Sequence, residues 1–211
     1  KGGHEEILAA FSAHEADILI GTQMIVKGHD FGNVTLVGIM AADLSLNTPD
    51  YRCSERTFQL LTQAAGRAGR GSLSGNVVIQ TYKPEHYAIV TAAEQNYEEF
   101  YRREMLYRKM MNYPPACYME AVLFAGNNEK TVERCSDLAL STVRKMGYEE
   151  NEIQMIGPVR APVYKVNDIY RKILYIKSKN CDILDKIRRN IELLAAGDEG
   201  FKSLALQFDI S

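Results

Sequence analysis

Apolar positions recur along the first 95 residues in two rhythms, one of helical and one of strand period. The stretch "HEEILAAFSA" places Ile7, Leu8 and Phe11 on one helical face. "ADILIGT" then reads as a short buried strand ending at Gly21, and "VTLVGIM" (34–40) as a second strand. From Ser54 the chain carries Phe58, Leu61 and Ala65 at helical spacing, and the helix is expected to stop at Gly66, where propensity is lost. "GNVVIQTY" supplies a third strand. Strands alternating with helices predict an α/β layer with a parallel sheet over residues 1–95.

The charged segment "NYEEFYRREMLYRKMMNYPP" (96–115) reads as a helix that Pro114 and Pro115 end, which sets a helix and linker at 96–117. Beyond it the pattern changes. "MEAVLFA" is a strand, 127–146 a helix, "IQMIGPV" and "RKILYIK" strands, "CDILDKIRRNIELLAA" a helix and "SLALQFD" a last strand. That β-α-β-β-α-β order predicts a small α+β domain of ferredoxin-like type over 118–211.

Composition narrows the chemistry. The chain has 211 residues, 46% of them hydrophobic, which suffices for one or two ordinary cores. Its 25 basic and 27 acidic side chains give a formal charge of -2, so any nucleic-acid contact must be local. The four cysteines are scattered, without C-x-x-C or a histidine at ligand spacing, and indicate neither zinc nor a disulfide framework. Reduced cytoplasmic thiols are the expectation. No apolar run approaches a membrane span, so no membrane partner is expected. The chain opens on Lys1 inside a helical pattern, and is read as a piece of a longer protein.

Candidate chemistry concentrates in two stretches. In "GTQMIVKGHDFGNV" (21–34), Gly21 and Gly28 sit where strands should end, while Thr22, Gln23 and Lys27 offer hydroxyl, amide and ammonium groups. Ligands of open parallel sheets gather at the carboxyl ends of strands, which predicts that this loop faces a crevice. Asp30 is placed to accept from a ribose hydroxyl. In "QAAGRAGRG" (63–71), Arg67 and Arg70 present planar, permanently charged forks that match phosphate oxygens, and Gly66 and Gly69 let the backbone approach a ligand closely. A polyphosphate fits such a pair, because fixed arginines stabilise charge that moves during transfer. Taken singly, each stretch also fits an ordinary solvated turn.

Together, "GTQ", "KGHDF" and, some thirty residues on, "QAAGRAGR" resemble motifs V and VI of superfamily 2 helicases. The fuller spellings "ILIGTQMIVKGHDFGNVTLVGIMAADLSL", "ERTFQLLTQAAGRAGR" and "YRREMLYRKMMNYPP" resemble the PriA (primosomal protein N-prime) family of bacterial replication-restart helicases, with Gly32 where relatives usually carry proline. The resemblance implies that residues 1–95 are part of a RecA-like second helicase lobe. It implies an arginine finger at Arg70, a phosphate-sensing neighbour at Arg67 and a supporting Gln63. Gly28 and Asp30, with Gly66 and Gly69, would face the nucleotide, and Gly21, Thr22, Gln23 and Lys27 the DNA backbone.

By the same resemblance the whole protein is a 3'-to-5' helicase that uses ATP and Mg2+, recognises stalled or branched forks and starts primosome assembly. Its partners would be forked and single-stranded DNA, single-stranded DNA-binding protein and other primosome proteins. Zinc is expected upstream of this chain and no metal within it. Neither a G-x-x-x-x-G-K-[ST] loop nor the Asp-Glu pair of a magnesium motif is present, so the chain alone is expected to be inactive. Two other readings stay open: a superfamily 2 translocase of repair or branch migration, and a non-enzymatic module that binds nucleic acid or a partner.

Between 160 and 189 nine basic residues face three acidic ones, with Tyr164, Tyr170 and Tyr175 among them. Cations interleaved with rings suit a nucleic-acid strand, and Arg171 and Lys172 are the candidates there. The same residues also fit a sheet face with solvated lysines.

Overall fold

The computed structural model describes residues 3–22, 31–32, 34–69 and 74–211. The chain divides into two compact units, 1–104 and 105–211.

The first unit contains helix α1 (Gly3–Ser12), strand β1 (Leu36–Ile39), the short helix α2 (Asp43–Leu46), helix α3 (Cys53–Ala65), strand β2 (Asn76–Ile79) and helix α4 (Tyr87–Ala93). The parallel sheet predicted from three strands has two among the described residues, β1 and β2, with Leu36 opposite Asn76 and Ile39 opposite Ile79. The predicted strand in "ADILIGT" is not formed. Residues 16–22 are irregular, and Ile18 and Ile20 are 77% and 88% exposed. The physical reason is lateral: a strand persists through the ladder its neighbour supplies, and an apolar run carries no such neighbour by itself.

The core of this unit lies on one side of the pair. Phe58 and Leu61 of α3 pack with Ala88, Ile89 and Ala92 of α4, and Ile39 and Ile79 reach this cluster from the sheet. Ala64, rather than the predicted Ala65, is the buried alanine of α3. Helix α4, which the hydrophobic pattern did not single out, is capped by His86, whose Nδ1 accepts from the Ala88 amide at 3.2 Å. Desolvation lowers the His86 pKa, with Lys83 acting the same way, so the neutral ring needed for capping is favoured.

Helix α5 (Tyr97–Met111) ends before Pro114 and Pro115, as predicted, and the division between the units falls within it. Phe100 is buried and stacks on Phe58 with centroids 4.2 Å apart. Tyr97 and Tyr101, by contrast, are mostly exposed.

The second unit has the predicted β-α-β-β-α-β order. It runs β3 (Tyr118–Gly126), α6 (Glu129–Lys145), β4 (Ile153–Val166), β5 (Ile169–Ser178), α7 (Cys181–Gly197), a 3-10 turn at Glu199–Phe201 and β6 (Ala205–Ile210). The sheet is antiparallel with strand order β4-β5-β3-β6. Residues two apart share a face of a strand, so Val122 and Phe124 of β3 and Leu174 and Ile176 of β5 point to one side. There they meet Val132, Cys135, Ala139 and Val143 of α6 and Ile183, Leu184, Ile187 and Ile191 of α7, a helical spacing in both. Asn128 and Asn180 cap these helices by accepting from the amides of Thr131 and Asp182.

Candidate functional site

Helix α3 delivers the arginine turn. Its chain enters through Asp50, whose carboxylate accepts from the Arg52 amide at 2.9 Å and pairs with the Arg56 guanidinium at 2.8 Å. Thr57, fully buried, donates its hydroxyl to the Cys53 carbonyl. The helix then unwinds in steps: Gly66 N–H donates to Thr62, Arg67 N–H to Ala64 and Ala68 N–H to Ala65, each at 3.0–3.1 Å. Gly66 has φ -65, a conformation open to any residue. Gly69, at φ +72, occupies the left-handed region that glycine adopts without a steric cost.

Gly69 ties the turn to the sheet. Gly69 N–H donates to the Val34 carbonyl at 3.0 Å, one residue before Thr35, whose carbonyl accepts from Asn76 N–H at 2.8 Å. The arginine turn therefore sits at the amino ends of β1 and β2. The carboxyl-end expectation concerned the loop at 21–34, of which residues 23–30 and 33 lie outside the described residues. Gly75 closes the arrangement. A Cβ built there would lie 2.2 Å from the Gly69 nitrogen and 2.6 Å from the Ala68 Cβ.

Among the predicted residues, Gln63 is exposed on the last turn of α3, and Arg67 is half-buried one turn later. Gly21 and Thr22 are exposed and lie in no helix or strand. Gln23, Lys27, Gly28, Asp30 and Arg70 lie outside the described residues. At the far ends of β1 and β2 the buried Asp43 accepts from the Thr81 hydroxyl at 2.7 Å and from Tyr82 N–H at 2.8 Å. Those two bonds, the Thr81 hydroxyl first, hold its carboxyl below the usual pKa. Sequence reasoning passed over Asp43 and Gly75, because only the fold shows which partners each one meets.

Part of the basic run of the second unit is used internally, while Arg160, Lys165, Lys179, Lys186 and Arg189 are exposed. Lys172 shares the helix-covered face with Leu174, is 13% exposed at its side chain and pairs with Asp137 at 3.9 Å. Arg171 points to the opposite face. Lys177 is 3% exposed, donates to the Met111 carbonyl at 3.0 Å and lies 3.6 Å from the Tyr113 ring centre. Burial lowers its pKa, and it lines a cavity of about 240 Å³ together with Cys117 and Lys179. Arg188 donates through Nε to the fully buried Glu120 at 2.6 Å. Arg160 lies over the Tyr164 ring, and the Tyr164 hydroxyl donates to Glu129.

Among the described residues no three His, Cys, Asp or Glu side chains are grouped so as to hold a metal ion, and no helix is long and apolar enough to cross a membrane.

Comparison with known proteins places both units. Residues 109–210 match the family described as Primosomal protein N C-terminal domain, and residues 1–72 match the Helicase conserved C-terminal domain. The chain is 42% identical over 192 residues to the Replication restart protein PriA of Bacillus subtilis (strain 168), covering 90% of this chain and 24% of that protein. It is 41% identical over 185 residues to the protein of that name from Synechocystis sp., covering 84% and 21%. With the one from Chlamydia pneumoniae it shares 38% over 178 residues, covering 84% and 24%. The chain thus spans 21–24% of the length of these three relatives.

Proposed function

The chain belongs to the PriA replication-restart family, and from this premise we propose that it is the C-terminal part of an ATP-dependent 3'-to-5' DNA helicase that restarts stalled replication forks. The observation that carries the reading is the arginine turn, fixed by α3 on one side and by the Gly69–Val34 hydrogen bond on the other. A guanidinium acts on a transferring phosphoryl group only if it is held in place before the charge develops.

In this reading Arg70 is the finger that stabilises that charge, Arg67 senses the phosphates and Gln63 supports them at the end of α3. Gly28, Asp30, Gly66 and Gly69 face the nucleotide. Gly21, Thr22, Gln23 and Lys27 contact the DNA backbone, and Arg171, on the face of β5 away from the helices, is better placed to join them than Lys172. What fits ATP here is a pair of arginines on a glycine-bounded turn. With no Walker A loop or magnesium motif in the sequence, this chain supplies only the arginine side of the site and does not hydrolyse ATP alone.

We divide the function at 1–95 for the part-lobe, RecA-like in type, 96–117 for the connecting helix and Pro-Pro segment, and 118–211 for a ferredoxin-like domain. The whole protein would work on forked and single-stranded DNA in the cytoplasm, with single-stranded DNA-binding protein and primosome proteins as partners.

The test is ATP hydrolysis by the full-length protein, with and without forked DNA, comparing wild type with Arg70→Ala. Arginine fingers are worth roughly 10³ to 10⁵ in rate. A loss of at least about a hundredfold with an unchanged melting temperature is expected. A rate within about twofold of wild type would return the turn to a solvated surface feature and favour the binding-module reading.

A further inference from the structure

We propose that Gly75 is a positioning residue for the arginine turn, acting through the space left by its missing side chain; the inference rests on the role proposed above for Arg67. The positions that would bear phosphate are on α3 and the turn after it, yet the turn's contact on its sheet side is with Gly75. An added Cβ would stand 2.2 Å from the Gly69 nitrogen, 2.5 Å from the Ala68 carbonyl carbon and 2.6 Å from the Ala68 Cβ. Two of those three atoms are backbone, so no rotamer change relieves the overlap.

Moving such a contact out to about 3.5 Å, ordinary van der Waals separation, requires a displacement of about 1 Å. The two sides resist unequally. Asn76, next to Gly75, is held to Thr35 by a 2.8 Å bond and continues into the β1–β2 ladder. The turn lies outside that ladder; its Gly69 N–H donates to the Val34 carbonyl, and Gly69 adopts φ +72. The displacement therefore goes into the turn, and Arg67 moves with it. Misplacement of about 1 Å at a catalytic group costs on the order of a hundredfold in rate. The neighbouring Gly66 is different: a Cβ there would meet Thr62 O at 3.4 Å, an ordinary contact, so the packing of the turn does not itself require glycine at that position.

The experiment uses the full-length protein and a double-mutant cycle of Gly75→Ala with Arg67→Ala, reading DNA-stimulated ATP turnover, DNA affinity and melting temperature. The expected result is a fall in kcat of roughly ten- to a hundredfold for Gly75→Ala, with DNA affinity within about twofold and the fold retained. In the Arg67→Ala background the further loss from Gly75→Ala should be less than about twofold, since residues acting as one unit are not additive. Three outcomes overturn the inference: an unchanged kcat, a loss that multiplies in full in the Arg67→Ala background, or a Gly75→Ala protein that no longer folds, because the glycine would then serve the fold and not the turn. If Arg67→Ala itself leaves turnover unchanged, the arginine reading fails. If Arg67→Ala is crippled and Gly75→Ala is not, only the positioning role fails.

Discussion

The two sheets of this chain are finished to different degrees. In residues 105–211 one face of a four-stranded sheet is closed by α6 and α7, and the side chains between them, from Val122 to Ile191, are removed from water. In residues 1–104 the parallel pair is covered on one side by α3 and α4, while Leu36, Met40 and Val78 stand 61%, 78% and 59% exposed. Parallel sheets are ordinarily buried on both faces. The unit with the self-contained core carries little of the proposed chemistry, and the unit with the bare sheet face carries most of it. The larger buried core and the proposed chemistry thus fall in different units.

The sharpest way to break the comparison is to open the better core. Phe124→Ala, at a fully buried position, is expected to destabilise the second unit by about 3–5 kcal/mol, measured by denaturant unfolding with amide exchange of β3 and β5 as the local readout. If those amides keep their protection, the second unit is not the independently stable one.

A smaller effect is expected from acid on the first unit. His86 caps α4 in its neutral form, and its folded pKa lies below the ordinary 6.5. The stability it contributes is therefore complete above about pH 6.5 and is lost as the pH falls through the lowered folded value. Loss of a cap costs about 1 kcal/mol. The protection factor of the α4 amides, taken against intrinsic exchange at each pH, should fall between pH 7.5 and 5.5, and His86→Asn, a cap that does not titrate, should remove the dependence. An equal fall in the asparagine variant would assign it to another group.

The smallest expected effect is at the bare face. Val78→Ala, at an exposed position, should change the stability of this chain by less than about 0.5 kcal/mol. A loss above about 1 kcal/mol would mean that the face is covered in solution.

Much of this fold was legible in the sequence. The second unit's elements were readable because each has a one-faced apolar period, and two of its helices begin at asparagine caps. The strand expected in "ADILIGT" did not form because that run shows a strand's composition but not the ladder it would need. Helix α4 escaped because "HYAIVTAA" is too short and too uniformly apolar to show a period, and its cap is a histidine. At the site, the arginine pair stands out by residue type and spacing, and of the two only Arg67 lies within the described residues. Gly75 does not stand out, since it reads only as the first residue of the strand "GNVVIQTY", and its contact with Ala68 and Gly69 appears only in the fold. The basic run of 160–189 looked like a surface, but Lys172, Lys177 and Arg188 find their partners across strands and from helices.

The tip of the β4–β5 hairpin has a consequence for how this family can vary in length. Asn167 and Asp168 form a two-residue tip, both at positive φ (48 and 60); Val166 pairs with Ile169 and Lys165 with Tyr170, and β4 shifts register before Arg160 pairs with Lys172. Because side chains alternate, one residue inserted into β5 between this tip and Arg171 would exchange its two faces, turning Lys172 away from Asp137 and Leu174 out of the core unless a bulge absorbed it. Two inserted residues would restore the alternation. Viable descendants of this hairpin should therefore differ in length by even steps, or carry a compensating bulge.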